Sequence, residues 1–263
     1  MNTFCVESMG LMAPGLAGWA GSRAVLTGER RYTAEPMPAA IATLLPANER
    51  RRTTATIKLA LQVAQEAMAQ MEIDVGAVRT VFASSGGDSE VLDKICMALT
   101  QPDRPVSPTH FHQSVHNTPA GYWTIAAGCT QPSISLSAYD DSFTAGLREA
   151  AALAWADGAR VLLIAYDLPP PFPLSERRTI VAPFAVALLL NPAATANRRA
   201  VLRLGQMTHE PADRLDDAGL EQLRAGNPAA RSLPLLCAIA QGMTRRVLLP
   251  AGDDAVLSVE IEP

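Results

Sequence analysis

The stretch SISLSAYDDSFTAG, residues 133–146, places Tyr139, Asp140 and Asp141 between an alternating strand pattern and an apolar helix pattern. A side chain at such a strand-to-helix tip lies among free backbone N–H groups, at the positive end of the helix dipole. Cysteines placed there become reactive thiolates, but this tip holds carboxylates. From the local residues alone, Asp140 or Asp141 fits an ordinary helix N-cap, a role for which Asp is among the preferred types. A second concentration, SPTHFHQSVHN over 107–117, carries His110, His112 and His116. Imidazoles so spaced could ligate zinc, yet structural zinc takes four ligands and no paired cysteine or nearby carboxylate completes a set. A hydrogen-bonded loop packed on a helix is expected, and no metal site is assigned. Ser142 lacks the small neighbours of a G-x-S-x-G elbow. Gly86-Gly87 falls short of a phosphate-binding glycine loop.

These groups must be held by an alternation of strands and helices. Phe4–Met9 reads as a strand closed by Ala13-Pro14-Gly15, and 17–48 as short helices over a loop. Ile57, Leu61, Ala64, Met68 and Met71 recur at helical spacing after the charged Glu49–Arg52. A strand is expected at Val78–Ala83, a turn at 84–87, a helix at Glu90–Leu99 and a proline-broken loop over 102–108. Then come a helix over 114–127, a strand at Ser133–Ser137 with serine alternating against Ile134 and Leu136, and a helix from Asp141 to Ala156. Strands at Arg160–Tyr166, Phe184–Leu190 and Ala200–Met207 follow, with a proline-rich loop over 168–175. Helices near 213–225 and 229–241 and a strand near 255–261 complete the pattern. It predicts one α/β domain of three layers with a mostly parallel sheet between helices and an antiparallel edge.

Composition narrows the classes. The chain has 263 residues, 48% hydrophobic and 18% charged, which supports a packed core and excludes disorder as the main state. A net charge of −4 argues against a general nucleic-acid binder. Cys5, Cys96, Cys129 and Cys237 are scattered, as buried thiols of a reducing compartment would be. No basic segment leads into a long apolar one at the start, and the apolar runs at 161–166 and 185–190 are too short to span a bilayer. A cytoplasmic protein without a membrane span is expected.

The residues from Asn117 to Asp167 resemble the core of β-ketoacyl synthases of the thiolase superfamily. Asn117, Ala120 and Gly121 match an N-x-x-A-G helix. Pro132, Ser133, Ser135 and Ser137 match the strand G-P-S-x-S-x-S/T that leads to the nucleophile, and Gly158 and Ala159 match the start of the next strand. Ser107-Pro108-Thr109, Phe111, Val115-His116-Asn117 and the upstream Arg51-Arg52 are similar to the family's N-terminal region. The resemblance covers about 1–205 and implies a thiolase-like half, a mixed, mostly parallel five-stranded sheet between helices, with 206–263 an extension of extra helices and a strand packed on it in a single truncated domain. Counted from Pro132-Ser133, the catalytic cysteine position falls on Asp140. Tyr139 and Phe143 replace an alanine and a glycine. Neither H-G-T-G-T nor G-F-G-G-x-N occurs, so the family's two catalytic histidines have no counterpart.

This pattern resembles a degenerate subunit of the chain-length-factor type, of the small kind found with aryl polyene pathways. A carboxylate at Asp140 would form no persistent thioester and would repel a malonyl carboxylate. The resemblance implies a non-catalytic partner of an active, full-length β-ketoacyl synthase in a heterodimer. The pair would elongate chains in polyketide or fatty-acid-like synthesis and meet an acyl carrier protein, with no cofactor of its own. It implies that His110, Phe111, His112, His116, Asn117, Tyr122, Trp123, Tyr139 and Asp140 face the partner or the acyl tunnel. Ser133, Ile134, Ser135, Leu136, Ser137 and Ala138 would form an edge strand that pairs with the partner's equivalent. The alternative is a truncated thiolase-fold enzyme that uses Asp140 and a histidine of the 110–116 cluster for acyl transfer or decarboxylation.

Overall fold

The computed structural model describes residues 3–252 and 254–263. The chain begins with β1 (Thr3–Ala13), β2 (Leu16–Ala17) and α1 (Trp19–Leu26), then crosses a loop to α2 (Ala47–Arg52) and α3 (Ala55–Met68). β3 (Arg79–Ala83), α4 (Ser89–Leu99), α5 (Pro108–Gln113), α6 (Thr118–Ala127) and β4 (Ser133–Leu136) follow. α7 (Ser142–Asp157), β5 (Val161–Asp167), β6 (Phe184–Asn191) and β7 (Ala200–Thr208) lead into α8 (Ala218–Gly226), α9 (Leu233–Gln241), β8 (Arg245–Pro250) and β9 (Val256–Glu262). Among the described residues the strands form one open, mixed sheet in the order β4-β3-β5-β6-β1-β7-β9-β8, with β2 paired to β1. Helices cover both faces of this sheet, the three-layer arrangement the sequence led us to expect.

The expected sheet of five mostly parallel strands is corrected to nine strands with two parallel pairings. β3 pairs parallel with β4 and β5, while the pairings of β1, β6, β7, β8 and β9 are antiparallel. A parallel neighbour needs a long crossover, usually a helix; β8 returns into β9 within a few residues, and the loop from β5 to β6 carries no α-helix to make one. Pro119, expected inside a helix over 114–127, lies in the first turn of α6, where a missing N–H costs little. The polar stretch before it forms its own short helix, α5, capped by Ser107 Oγ accepting from the His110 N–H.

Two apolar layers flank the sheet. One gathers Phe143, Leu147 and Ala150 of α7 with Leu235 and Leu236 of α9; the other gathers Ile57, Leu61 and Ala64 of α3 with Trp123 of α6. Polar ties fix β1 at the centre. Arg160 donates to Glu7 at 2.6 and 3.0 Å and Asn191 Nδ2 donates to it at 2.8 Å. Glu66 of α3 accepts the Leu11 and Trp19 N–H groups at 3.0 and 2.5 Å; burial raises its pKa against those two donors.

The element that carries Asp140 sits close on the sheet because of Gly146. A Cβ there would lie 2.7 Å from Ala83 Cβ and 3.0 Å from Leu163 Cδ1, so only glycine lets α7 settle onto β3 and β5. Gly146→Val should lift the helix and lower unfolding stability by about 2 kcal/mol, the usual scale of overpacking. Urea denaturation measures it; an unchanged midpoint would mean that the approach is not required.

Candidate functional site

β4 is the edge strand of the sheet, as the serine alternation suggested, but it is shorter than expected. Ser137 and Ala138 lie past its end. Ser137 Oγ donates to the Ser85 carbonyl at 3.0 Å, and the Ala138 N–H donates to Ser142 Oγ at 3.0 Å. The chain then makes a 3-10 turn over Tyr139–Asp141, with Tyr139 at φ 52°, and enters α7. That left-handed backbone is costly for a residue with a bulky side chain.

Neither Asp140 nor Asp141 caps α7 with its side chain, so the N-cap reading is corrected. The carboxylates are drawn to arginines instead. Arg178, in the loop after β5, reaches Asp140 Oδ1 at 2.5 Å, and Arg231, just before α9, reaches Asp140 Oδ2 at 3.1 Å and Asp141 Oδ1 at 2.8 Å. The Arg178 guanidinium also covers the Tyr139 ring, 3.9 Å from its centroid. Both Asp140 oxygens are thus neutralised by fixed cations. A nucleophile or general base needs a free lone pair and a proton partner within hydrogen-bond reach. Here no hydrogen bond joins Asp140 to a histidine among the described residues.

The histidines are spread over separate contacts. His112 packs edge-on against Tyr122, their centroids 6.4 Å apart. His116 Nε2–H donates to the Ser84 carbonyl at 3.2 Å, and His110 sits on α5 beside the first turn of α3. Asn117 precedes α6 without a side-chain cap bond. Phe111 is 68% exposed and Tyr139 60% exposed. Trp123 is corrected: it is fully buried in the chain's own core and has no surface to offer a partner, because its position on α6 points at α3 and the sheet. Tyr122 is also buried, at 6% exposure.

Residues that the sequence reading did not single out complete the site. Asp167, at the end of β5, is buried, and its Oδ1 accepts from Ser84 Oγ, Ser85 N and Ser85 Oγ at 3.1, 2.8 and 2.7 Å. It pins the turn after β3 to the end of β5. Arg178 was visible only as half of an Arg177-Arg178 pair suited to a surface patch; its side chain turns inward. Arg231 carried no local signal, since its partner Asp140 is 91 residues away. Among the described residues no helix is long and apolar enough to cross a membrane.

Burial pushes the Asp167 carboxyl up to about 6 from 3.8, against the lowering effects of its Ser85 and Ser84 hydrogen bonds and the Arg178 charge. Because the folded value lies above the unfolded one, folding takes up a proton between these pH values. The contribution favours the fold at low pH and is lost as pH rises through about 6. Asp167→Asn has no such proton. Its stability relative to wild type should rise by about 2–3 kcal/mol from about pH 4 to about pH 7. Denaturation at both pH values tests this, and a difference independent of pH would contradict it.

Comparisons with known proteins agree with this geometry. The family model described as β-ketoacyl synthase, N-terminal domain, matches residues 26–248. The chain is similar to one in the structure of a ketosynthase (ApeO) in complex with its chain length factor (ApeC) from Xenorhabdus doucetiae. The TM-score is 0.74 at 25% identity, over 98% of this chain and 99% of that one. It is similar in fold to a chain of the ishigamide ketosynthase/chain length factor, with a TM-score of 0.76 at 14% identity over 99% of both. Against the ketosynthase from module 1 of the bacillaene synthase of Bacillus amyloliquefaciens the TM-score is 0.59 at 15% identity, over 81% of this chain but 47% of that one. No curated protein sequence matches. With the family model spanning most of its length over a ketosynthase-like sheet, the chain belongs to the β-ketoacyl synthase N-terminal domain family.

Proposed function

We propose that this chain is a non-catalytic, chain-length-factor-like partner of an active β-ketoacyl synthase in aryl polyene, polyketide or fatty-acid-like chain elongation. The observation that carries the reading is Asp140, which occupies the nucleophile register with both oxygens bound to Arg178 and Arg231. The partner would supply the cysteine and histidines, and an acyl carrier protein would reach the site through the complex. The chain would work as one domain in the cytoplasm, with 206–263 an extension on the ketosynthase-like half.

The open edge supports a partner of this kind. The Thr80 and Ser84 N–H groups donate to the Pro132 and Leu136 carbonyls, each at 3.2 Å. In a parallel ladder, residues 134 and 136 therefore turn their backbone groups to β3, while Ser133 and Ser135 turn theirs outward. An outward row of unpaired N–H and C=O groups is a template for another strand. Apolar surface accompanies it. α6 packs on β4 and exposes Ile125; α5 packs on α4 and exposes Phe111, with Val115 next along the chain and Leu92 and Leu99 on α4. Exposed apolar surface in such quantity marks an association face. On this reading Ser133–Leu136 pair with the partner's strand. Phe111 and Tyr139 reach the partner's acyl tunnel, with His110, His112, His116, Asn117, Tyr122 and Asp140 behind them.

Co-expression with a full-length ketosynthase tests both claims. Ser135→Pro removes an outward N–H without touching the β3 ladder, so the variant should fold and lose co-purification of the ketosynthase. Phe111→Ala should keep the pair and change the length of its products. A Ser135→Pro chain that still captures the ketosynthase in full would move the interface elsewhere. Unchanged products with Phe111→Ala would remove that residue from the tunnel.

A further inference from the structure

A pocket of about 370 Å³ lies beside the start of α3, and Asp140, Arg178, Arg231 and β4 are not among its lining. Its volume falls within the range of small-molecule sites, roughly 300–1,000 Å³. Pro38 forms one wall, Pro169 and Pro183 another, and Leu59 and Leu168 add apolar lining. Prolines have a fixed φ, so these walls are rigid before anything binds. The wall at Pro38 belongs to an extended strap that α3 holds by its backbone. Gln62 Oε1 accepts the Ile41 N–H and Gln65 Oε1 accepts the Leu44 N–H, each at 3.2 Å. A preformed pocket avoids the ordering cost that otherwise weakens binding.

Within this apolar lining stands one cation, Lys58. The chain has two lysines. Lys94 is paired with Glu90 at 2.6 Å, whereas the half-buried Lys58 has no ion pair among the described residues. A single ammonium without an arginine fork suits a compact monoanion better than a phosphate, which arginine grips through two bonds. We propose that this pocket binds a carboxylate with a linear apolar tail, the carboxylate on Lys58 and the tail between the proline walls.

Titration of the full chain with octanoate, followed by calorimetry and by chemical shifts, tests the proposal, with 1-octanol as the uncharged control. Octanoate should bind saturably and more tightly than octanol. Lys58→Met should weaken octanoate about tenfold, the scale of one charge-assisted hydrogen bond, and leave octanol unchanged. Ala40→Leu, which fills the pocket, should weaken both. Thermal melting checks that each variant is folded. The proposal is overturned if octanoate fails to bind the folded chain, if octanol binds as well, or if either folded variant binds octanoate like wild type.

Discussion

Two guanidinium groups facing two adjacent carboxylates hold three distant parts of this chain together. Asp140 and Asp141 lie where the edge strand gives way to α7, Arg178 comes from the loop after β5, and Arg231 from the segment before α9. An ionic contact that is partly solvated contributes modest stability by itself. Its weight here is positional. It fixes Tyr139, the end of β4 and the C-terminal elements in one arrangement, and it places a fixed cation on each Asp140 oxygen. The same contact explains why a carboxylate tolerates the mouth of a helix without acting as its cap.

The rest of the architecture serves that arrangement. Gly146 lets α7 sit on β3 and β5, which sets how far Asp140 stands from the sheet. Asp167 fastens the turn after β3 to the end of β5, beside Arg178. β4 then lies at the sheet's margin with Ser133 and Ser135 turned outward, against α6 with its exposed Ile125. Buried chemistry at one end of the strand and an open ladder along it are two aspects of one surface.

Part of this was legible in the residues and part was not. The alternation of Ser133, Ile134, Ser135 and Leu136 marked a strand with one polar face, and its edge position followed. The spacing from Pro132 singled out Asp140, the carboxylate on which Arg178 and Arg231 converge. Strand direction was not legible, because a buried strand such as Ala185–Leu190 looks alike whichever way it runs. β8 was missed because Arg245–Pro250 opens on two arginines and closes on a proline, and it is a strand only through its pairing with β9. Trp123 stood among residues of a partner-facing segment, but helical geometry turned it inward. The Arg178 and Arg231 contacts span loops whose closure no local pattern reveals.

The central claim is that this chain shapes a reaction whose covalent chemistry occurs on another. The most direct test is intact-protein mass spectrometry of the complex with a full-length ketosynthase after incubation with an acyl thioester. The account predicts that the acyl mass appears on the ketosynthase alone, while this chain keeps its unmodified mass. A stable acyl adduct on this chain, mapped to Asp140, would contradict it.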